Sequence, residues 1–169
     1  MRKRIVITLT SLILAAIGTY CLFLFAPYFY DVNKDTNSIN HLVYGYQLGY
    51  GYPGQSDVKI IGNLFVFIAQ ICGAICFICL LSFLFWFMFS KKKNSPMMYF
   101  LLGISMFCIS LVVSSLFLNW PIYQSANASH VDNPIFTWQF YVSIGSSIVG
   151  LIINAYLIIY IAMNKRKRV

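Results

Sequence analysis

The aspartates and histidines, which could do acid–base or metal chemistry, are few in this sequence, and all of them lie outside its long apolar segments. The chain has two histidines and four acidic residues, and every acidic residue is an aspartate. These residues are Asp31, Asp35, His41, Asp57, His130 and Asp132. Such side chains can hold a metal ion or assist hydrolysis, but their spacing matches no catalytic or metal-binding motif. We expect no enzymatic activity, no bound metal and no cofactor, and a membrane enzyme with an Asp/His site is a minor alternative.

The five cysteines are a second group with reactive side chains. They are Cys21, Cys72, Cys76, Cys79 and Cys108, and all lie in apolar segments. Three of them, Cys72, Cys76 and Cys79, share one helix face. A metal or haem site would need histidine or carboxylate partners at similar depth, and the apolar segments contain neither. We therefore interpret the cysteines as small apolar packing residues.

Four long apolar runs must position these residues. A helix needs about 20 apolar residues to cross a hydrocarbon core of roughly 30 Å. The runs cover residues 5–26, 60–89, 97–118 and 136–163, and none contains a charged residue or a histidine. Of the 169 residues, 60% are apolar and only 9% are charged, too few to cover a water-soluble fold. The sequence predicts an all-α integral membrane protein, a four-transmembrane-helix bundle that forms one domain over residues 1–169.

The basic residues predict how this bundle sits in a bilayer. The net charge is +8, and ten of the 12 Lys and Arg residues fall in clusters at 2–4, 91–93 and 165–168. Basic residues in short loops stay cytoplasmic. We predict cytoplasmic N and C termini, outer loops at 27–59 and 119–135, and a location in the plasma (cell) membrane. Because each cluster abuts a membrane span, we expect contact with the lipid bilayer and no nucleic-acid partner.

Amides are the most polar groups in the runs, with Gln70 in the second and Asn154 in the fourth. An amide in hydrocarbon needs a hydrogen-bond partner, and small residues let helices approach closely enough to supply one. Gly73 follows Gln70, and Ser146 and Gly150 precede Asn154 on its stripe. A further stripe consists of Ser11, Ala15 and Thr19. We predict that Gln70, Gly73, Ser146, Gly150 and Asn154 pack helices. The alternative is a small channel or transporter subunit with a polar path near Gln70 and Asn154.

The first outer loop has the least generic pattern of the chain. Leucine and tyrosine occupy alternate positions from Leu42 to Tyr52, and the positions between them are Val43, Gly45, Gln47, Gly49 and Gly51. Period-two alternation predicts a strand with one aromatic face, and the intervening glycines permit a bulge or a close backbone approach. We therefore predict a short β-like segment on the outer ends of the helices.

The tyrosines of this segment are Tyr44, Tyr46, Tyr50 and Tyr52. They have two interpretations. Tyrosine rings belong at head-group depth, where they form an interfacial belt. Tyrosine-rich surfaces with glycine are also typical of adaptable recognition surfaces. In the second case the protein is a non-enzymatic accessory, assembly or interaction subunit, a class that includes immunity-type proteins. Its partners would be other membrane proteins or a second copy of itself.

The predicted layout has internal termini, a larger first outer loop and a smaller second one that contains the sequon Asn127-Ala128-Ser129. This plan is similar to the tetraspan architecture of claudin-like proteins. The resemblance is one of topology, since the Trp, Gly-Leu-Trp and paired-Cys signature of that family's first loop is absent. It therefore implies no activity, partner or site residue.

Overall fold

The computed structural model describes residues 2–32, 39–51, 62–90, 96–127 and 134–166. Within these ranges the chain forms five helices and three strands. They are α1 (Arg2–Phe23), β1 (Pro27–Val32), β2 (Ile39–Tyr44), α2 (Gln47–Tyr50), α3 (Leu64–Phe89), α4 (Pro96–Asn127), β3 (Pro134–Phe136) and α5 (Trp138–Arg166).

Four of the helices are long and apolar enough to cross a membrane. The qualifying segments are Lys3–Phe23, Leu64–Phe89, Pro96–Asn119 and Trp138–Met163. The prediction of four membrane-length helices is therefore confirmed, and it indicates an integral membrane protein. Such runs form helices because hydrocarbon offers no partner to a free backbone N–H or C=O, and a helix satisfies these groups within one segment.

Each of the four long helices buries one face inside the bundle and exposes apolar side chains on the opposite face. α3 packs along α4, and α1 packs along α5. Their contacts enclose fully buried side chains such as Ile13, Phe83 and Leu157. On the opposite faces, large apolar residues such as Phe107 and Ile152 remain exposed. Exposed apolar side chains on a membrane-length helix are the expected surface toward lipid tails.

A three-stranded antiparallel sheet closes one end of the bundle, which we call the sheet end. Its order is β2-β1-β3, and Phe29 of β1 is paired with Val43 on one side and Phe136 on the other. Since β1 follows α1 and β3 precedes α5, the sheet connects the first and last helices. Thr137 strengthens this connection, because its Oγ1 donates to the carbonyl oxygen of Pro27 over 2.6 Å.

The strand that the alternation predicts over residues 42–52 is wrong beyond Tyr44. The chain turns at Gly45 and Tyr46 and then forms α2. Gln47 stabilises the turn, because its Oε1 accepts a hydrogen bond from the Tyr44 N–H over 2.9 Å. The Tyr46 N–H donates to the carbonyl oxygen of Leu24 over 2.9 Å, which folds the chain back onto the end of α1. Tyr52 lies outside the described residues.

The helix boundaries differ most from the predicted runs at the start of α3 and at the end of α4. α3 begins at Leu64 rather than at residue 60, because Asn63 caps it: its Oδ1 accepts hydrogen bonds from the N–H groups of Phe65 and Val66. α4 continues to Asn127, nine residues beyond the predicted run, so the proposed second loop starts as helix. Pro121 lies inside this helix, although proline removes a backbone donor there.

Candidate functional site

The turn after β2 is fastened to α3 by one buried amide. Gln70 is only 7% exposed, and its Nε2 donates to the carbonyl oxygen of Gly45 over 2.9 Å. The backbone of α2 comes just as close to α3. A Cβ atom added at Gly49 would lie 2.6 Å from Gln70 Oε1 and 2.9 Å from Phe67 Cα. A side chain at position 49 is therefore incompatible with this contact.

Two more glycines complete the packing of this turn. A Cβ atom at Gly45 would lie 2.8 Å from the ring of Tyr28, and one at Gly62 would clash with the carbonyl oxygen of Gly49. Gly51 has a φ of 77°, a conformation that favours glycine. Among the tyrosines of this turn, Tyr50 is exposed, whereas Tyr44 and Tyr46 are half-buried. We call residues 44–51 the aromatic turn.

A groove of about 530 Å³ opens between the aromatic turn, the end of α1 and the start of α3. Its lining consists of Leu24 and Phe25 after α1, Tyr46 and Tyr50 of the aromatic turn, and Gln70, Ile71 and Ala74 of α3. None of these seven residues is charged. Phe25 is 73% exposed and Tyr50 is 66% exposed, so the groove is open to the surface. Its volume falls within the range of about 300–1,000 Å³ that is typical of ligand sites.

Neighbouring rings hold the aromatic residues of the groove in place. The ring of Tyr46 lies between those of Phe25 and Tyr44, with centroid distances of 6.1 and 6.0 Å. Tyr50 packs edge-on against Phe67 at 4.7 Å. Aromatic pairs at these distances add to stability beyond simple area burial. Of the four predicted tyrosines, Tyr46 and Tyr50 line the groove and Tyr44 supports Tyr46.

A second polar cluster lies inside the bundle, where α3, α4 and α5 meet. Asn154 Nδ2 donates to Ser105 Oγ over 2.7 Å, and Ser105 Oγ in turn donates to the carbonyl oxygen of Leu102. The Cys76 thiol donates to the carbonyl oxygen of Ser105 over 3.6 Å. Asn154 Oδ1 and Ser147 Oγ are buried without a hydrogen-bond partner in the part of the chain that the structure describes.

The other residues that were predicted to pack helices make contacts outside this polar cluster. A Cβ atom at Gly73 would lie 2.7 Å from the ring of Tyr20, and one at Gly150 would lie 3.4 Å from Ala16 Cβ, so both glycines face α1. Ser146 is half-buried and bonds within α5. Gln70 and Asn154 have different partners, and no hydrogen bond joins them.

The predicted small-residue stripe on α1 is wrong as a packing surface. Ser11 and Ala15 are exposed and Thr19 is half-buried, whereas the adjacent Ala16 and Ile17 are buried. The spacing of small residues does not show which face of a uniformly apolar helix is buried. In α1 the buried face contains larger side chains such as Ile13, Ile17 and Tyr20.

The Asp and His residues are only partly within the described ranges. The sheet register places Asp31 opposite His41, while Asp35, Asp57, His130 and Asp132 fall outside those ranges. Among the residues whose positions are described, no group of three His, Cys, Asp or Glu side chains is placed to hold a metal ion.

One buried tyrosine of the sheet end was missed by sequence reasoning. The Tyr28 hydroxyl donates to Ser143 Oγ over 3.3 Å, which joins β1 to α5. Burial raises the pKa of the Tyr28 phenol well above its ordinary value, and the bond to Ser143 offsets part of that rise. Tyr28 precedes the alternating pattern, and it is buried by its contacts with Phe140 and Ser143 of α5, which the sequence does not reveal.

Comparison with known proteins adds no relative to this description, since no model of a protein family matches the chain and no curated protein sequence matches it. The groove, the aromatic turn and the buried polar contacts are therefore the observations that bear on function.

Proposed function

We propose that this protein is a non-enzymatic interaction subunit of the membrane, which recognises another membrane component through its aromatic turn. The observation that carries the proposal is the contrast within that turn. Tyr50 is mostly exposed, yet the backbone beneath it is fixed by Gly49 against α3 and by the bond from Gln70 to Gly45. Exposed aromatic residues on a fixed backbone bind partners at a low cost in conformational entropy.

The proposal includes an orientation. The sheet end, with the aromatic turn, faces the outside of the cell membrane, and both termini are cytoplasmic. Support comes from charge, because the ends of α1 and α5 that lie away from the sheet carry Arg2–Arg4 and Lys165–Arg166. Basic residues of short segments flanking a span are retained on the cytoplasmic side.

The partner in this proposal is another membrane protein or a second copy of the chain. An assembly factor and an immunity-type protein that shields a membrane target both belong to this class. Tyrosine and tryptophan are enriched among the residues that dominate binding energy at protein interfaces. Tyr46 and Tyr50 are the residues of the aromatic turn best placed for that role, with Tyr44 as support.

Recovery of partners from native membranes after cross-linking tests the proposal. Tyr46→Ser combined with Tyr50→Ser should lower partner recovery by about tenfold or more, the loss of roughly 1.4 kcal/mol of binding free energy. Tyr156→Ser is the matched control, because Tyr156 is 53% exposed on α5 but lies outside the aromatic turn. Equal recovery from the double variant and the control, at normal expression, would exclude this surface.

A small channel or transporter subunit is the contrasting proposal. It draws on the buried Asn154 Oδ1 and Ser147 Oγ, which no described residue satisfies. It has less support, because Gln70 and Asn154 bond to separate partners. Solute-selective flux into liposomes that is lost in Asn154→Leu would favour this function over the interaction subunit.

A further inference from the structure

The ends of α1 and α5 that lie away from the sheet bring five basic residues to one end of a packed helix pair. α1 begins with Arg2, Lys3 and Arg4, and α5 ends with Lys165 and Arg166. We call these five residues the basic end. The chain has only four acidic residues, and none of them belongs to any of the five helices. The basic end therefore has no carboxylate on its own helices or on the helices packed beside them.

The packing of α1 against α5 sets the level of these cations along the bundle. The two helices run in opposite directions, since α1 ends and α5 begins at the sheet end. A Cβ atom at Gly150 would lie 3.4 Å from Ala16 Cβ, so these two positions are level. Thirteen residues away from that contact, Lys3 of α1 is level with Met163 of α5, and Lys165 lies two residues further. Two residues span about 3 Å of helix axis, so the cations of both helices occupy one narrow layer.

The residue types of the basic end favour a phosphate as the counter-charge. Arg2, Arg4 and Arg166 carry guanidinium groups, whose planar fork of N–H donors matches phosphate oxygens in pairs. Packed helix axes lie about 8–10 Å apart, a separation across which long cationic side chains of both helices can reach one phosphate. The chain has one other basic cluster, at 91–93, which consists of three lysines in a single connection between α3 and α4.

Exposed apolar side chains follow the basic end on both helices and distinguish a lipid from a free phosphate. Ile159 and Met163 of α5 are each 55% exposed, and Leu12 of α1 is 49% exposed. All three lie within the membrane-length segments of their helices. A free phosphate would contact only the cations, whereas the acyl chains of a phospholipid would also cover these side chains.

The net charge of the headgroup follows from the missing carboxylates. A zwitterionic headgroup brings its own cation beside its phosphate, and the basic end would repel that cation. A headgroup with a net negative charge is attracted by every Lys and Arg near it. We propose that the basic end binds the phosphate of one anionic phospholipid, such as phosphatidylglycerol, whose acyl chains lie along the exposed apolar side chains of α1 and α5. This inference goes beyond the proposed interaction function and does not depend on a protein partner.

Native mass spectrometry of the full-length protein in neutral detergent tests the lipid site. The protein is titrated with phosphatidylglycerol or with phosphatidylcholine of the same acyl chains. The wild type should bind one phosphatidylglycerol at least about tenfold more tightly than phosphatidylcholine. Lys3→Gln combined with Arg4→Gln should reduce this preference to about threefold or less. Both side chains are exposed, so the melting temperature in neutral detergent should stay that of the wild type.

A matched double variant separates this site from a general effect of charge. Lys91→Gln combined with Lys92→Gln removes the same charge from the cluster of three lysines. Because that cluster lacks arginine and belongs to one connection, the variant should keep the preference for phosphatidylglycerol within about twofold of the wild type.

Three results would overturn the lipid site. Equal affinity of the wild type for the two lipids would show that the basic end does not select an anionic headgroup. Equal losses in the two double variants would show that the preference follows net charge alone. Displacement of the lipid by inorganic phosphate, but not by chloride at the same ionic strength, would make free phosphate the ligand. Loss of partner recovery in the tyrosine variants concerns the interaction function alone, because lipid binding is measured without a protein partner.

Discussion

Gln70 Nε2 donates a hydrogen bond over 2.9 Å to the carbonyl oxygen of Gly45, 25 residues earlier in the chain. The bond joins a membrane-length helix to the turn after β2, and Gln70 lines the same groove as the exposed Tyr50. A buried contact therefore controls the position of a surface feature. This relationship makes the aromatic turn sensitive to substitutions that do not touch its tyrosines.

Replacing Gln70 by Leu should loosen the aromatic turn while the four long helices stay intact. The carbonyl oxygen of Gly45 would keep only the 3.4 Å hydrogen bond from the Leu48 N–H, so the loss of the Gln70 bond should cost about 0.5–1.5 kcal/mol. Hydrogen exchange in detergent should become faster for residues 44–51 only. Gln139→Leu is the control, because Gln139 lies on α5 and its Oε1 bonds to no described residue. The same exchange pattern in both variants would contradict the role of Gln70.

Gly49→Ala should destabilise the protein by about 1–3 kcal/mol, the usual cost of an overpacked contact. The added Cβ atom would lie 2.9 Å from the backbone Cα of Phe67, which cannot move without shifting α3. Gly103→Ala in α4 should instead be neutral or stabilising by up to about 1 kcal/mol, because no atom lies within 4 Å of its added Cβ and alanine favours helix. Thermal unfolding in detergent compares the two, and equal effects would show that position 49 tolerates a side chain.

Asn154 and Ser105 should show a coupling energy of about 1 kcal/mol in a double-mutant cycle of Asn154→Leu and Ser105→Ala. Their 2.7 Å hydrogen bond links α5 to α4, and such bonds in membranes contribute roughly 0.6–2 kcal/mol. Ser110→Ala is the control partner, since Ser110 Oγ bonds only within its own helix, to the carbonyl oxygen of Phe107. Additive effects in the first cycle would mean that the bond contributes nothing to stability.

The effect of Tyr28→Phe on the stability of the protein should change from destabilising to stabilising as the pH is raised. At neutral pH the variant loses the bond to Ser143, worth about 0.5–1.5 kcal/mol. The folded-state pKa of Tyr28 is raised above its unfolded value of 10.0. The buried neutral phenol therefore makes its full contribution to the stability of the fold below pH 10.0, and this contribution is lost as the pH rises above that value. The wild type should therefore lose its advantage above about pH 10.

Melting curves recorded from pH 8 to pH 11 check this prediction for Tyr28. Ser143→Ala is the informative control, because it removes the same bond but keeps the buried phenol. It should reproduce the loss at neutral pH and still be sensitive to alkali. A constant difference between the wild type and Tyr28→Phe across this range would contradict the reversal.

The membrane helices were predictable because each corresponds to a long apolar run without charged residues. An uncharged run of more than 20 residues has few other structures available to it. The second run was misjudged only at its start, where Asn63 caps the helix instead of lying in the span. The aromatic turn was harder to predict, since the alternation of apolar residues with Gly45, Gly49 and Gly51 fits both a strand and a turn whose glycines contact neighbouring elements.

The groove could not be predicted from its own residues. Leu24, Phe25, Ile71 and Ala74 look like ordinary lipid-facing residues, and they become a site only when the chain folds back at Gly45. That fold depends on pairing between β1 and β2 and on the contact with α3, which are tertiary relationships. The hypothesis that Tyr46, Tyr50 and Gln70 have functional roles named three of the lining residues, but by separate arguments that did not place them together.

The pairing of β1 with both β2 and β3 has a consequence for biogenesis. β1 leaves the ribosome early, whereas β3 is made about a hundred residues later, which takes roughly 5–20 s at ~5–20 residues per second. During that interval β1 has β2 on one side and an unfilled edge on the other. An open strand edge is a site for pairing with other chains. β3 directly precedes α5, so the open edge of β1 can be filled only after the chain has been made as far as its last membrane-length helix.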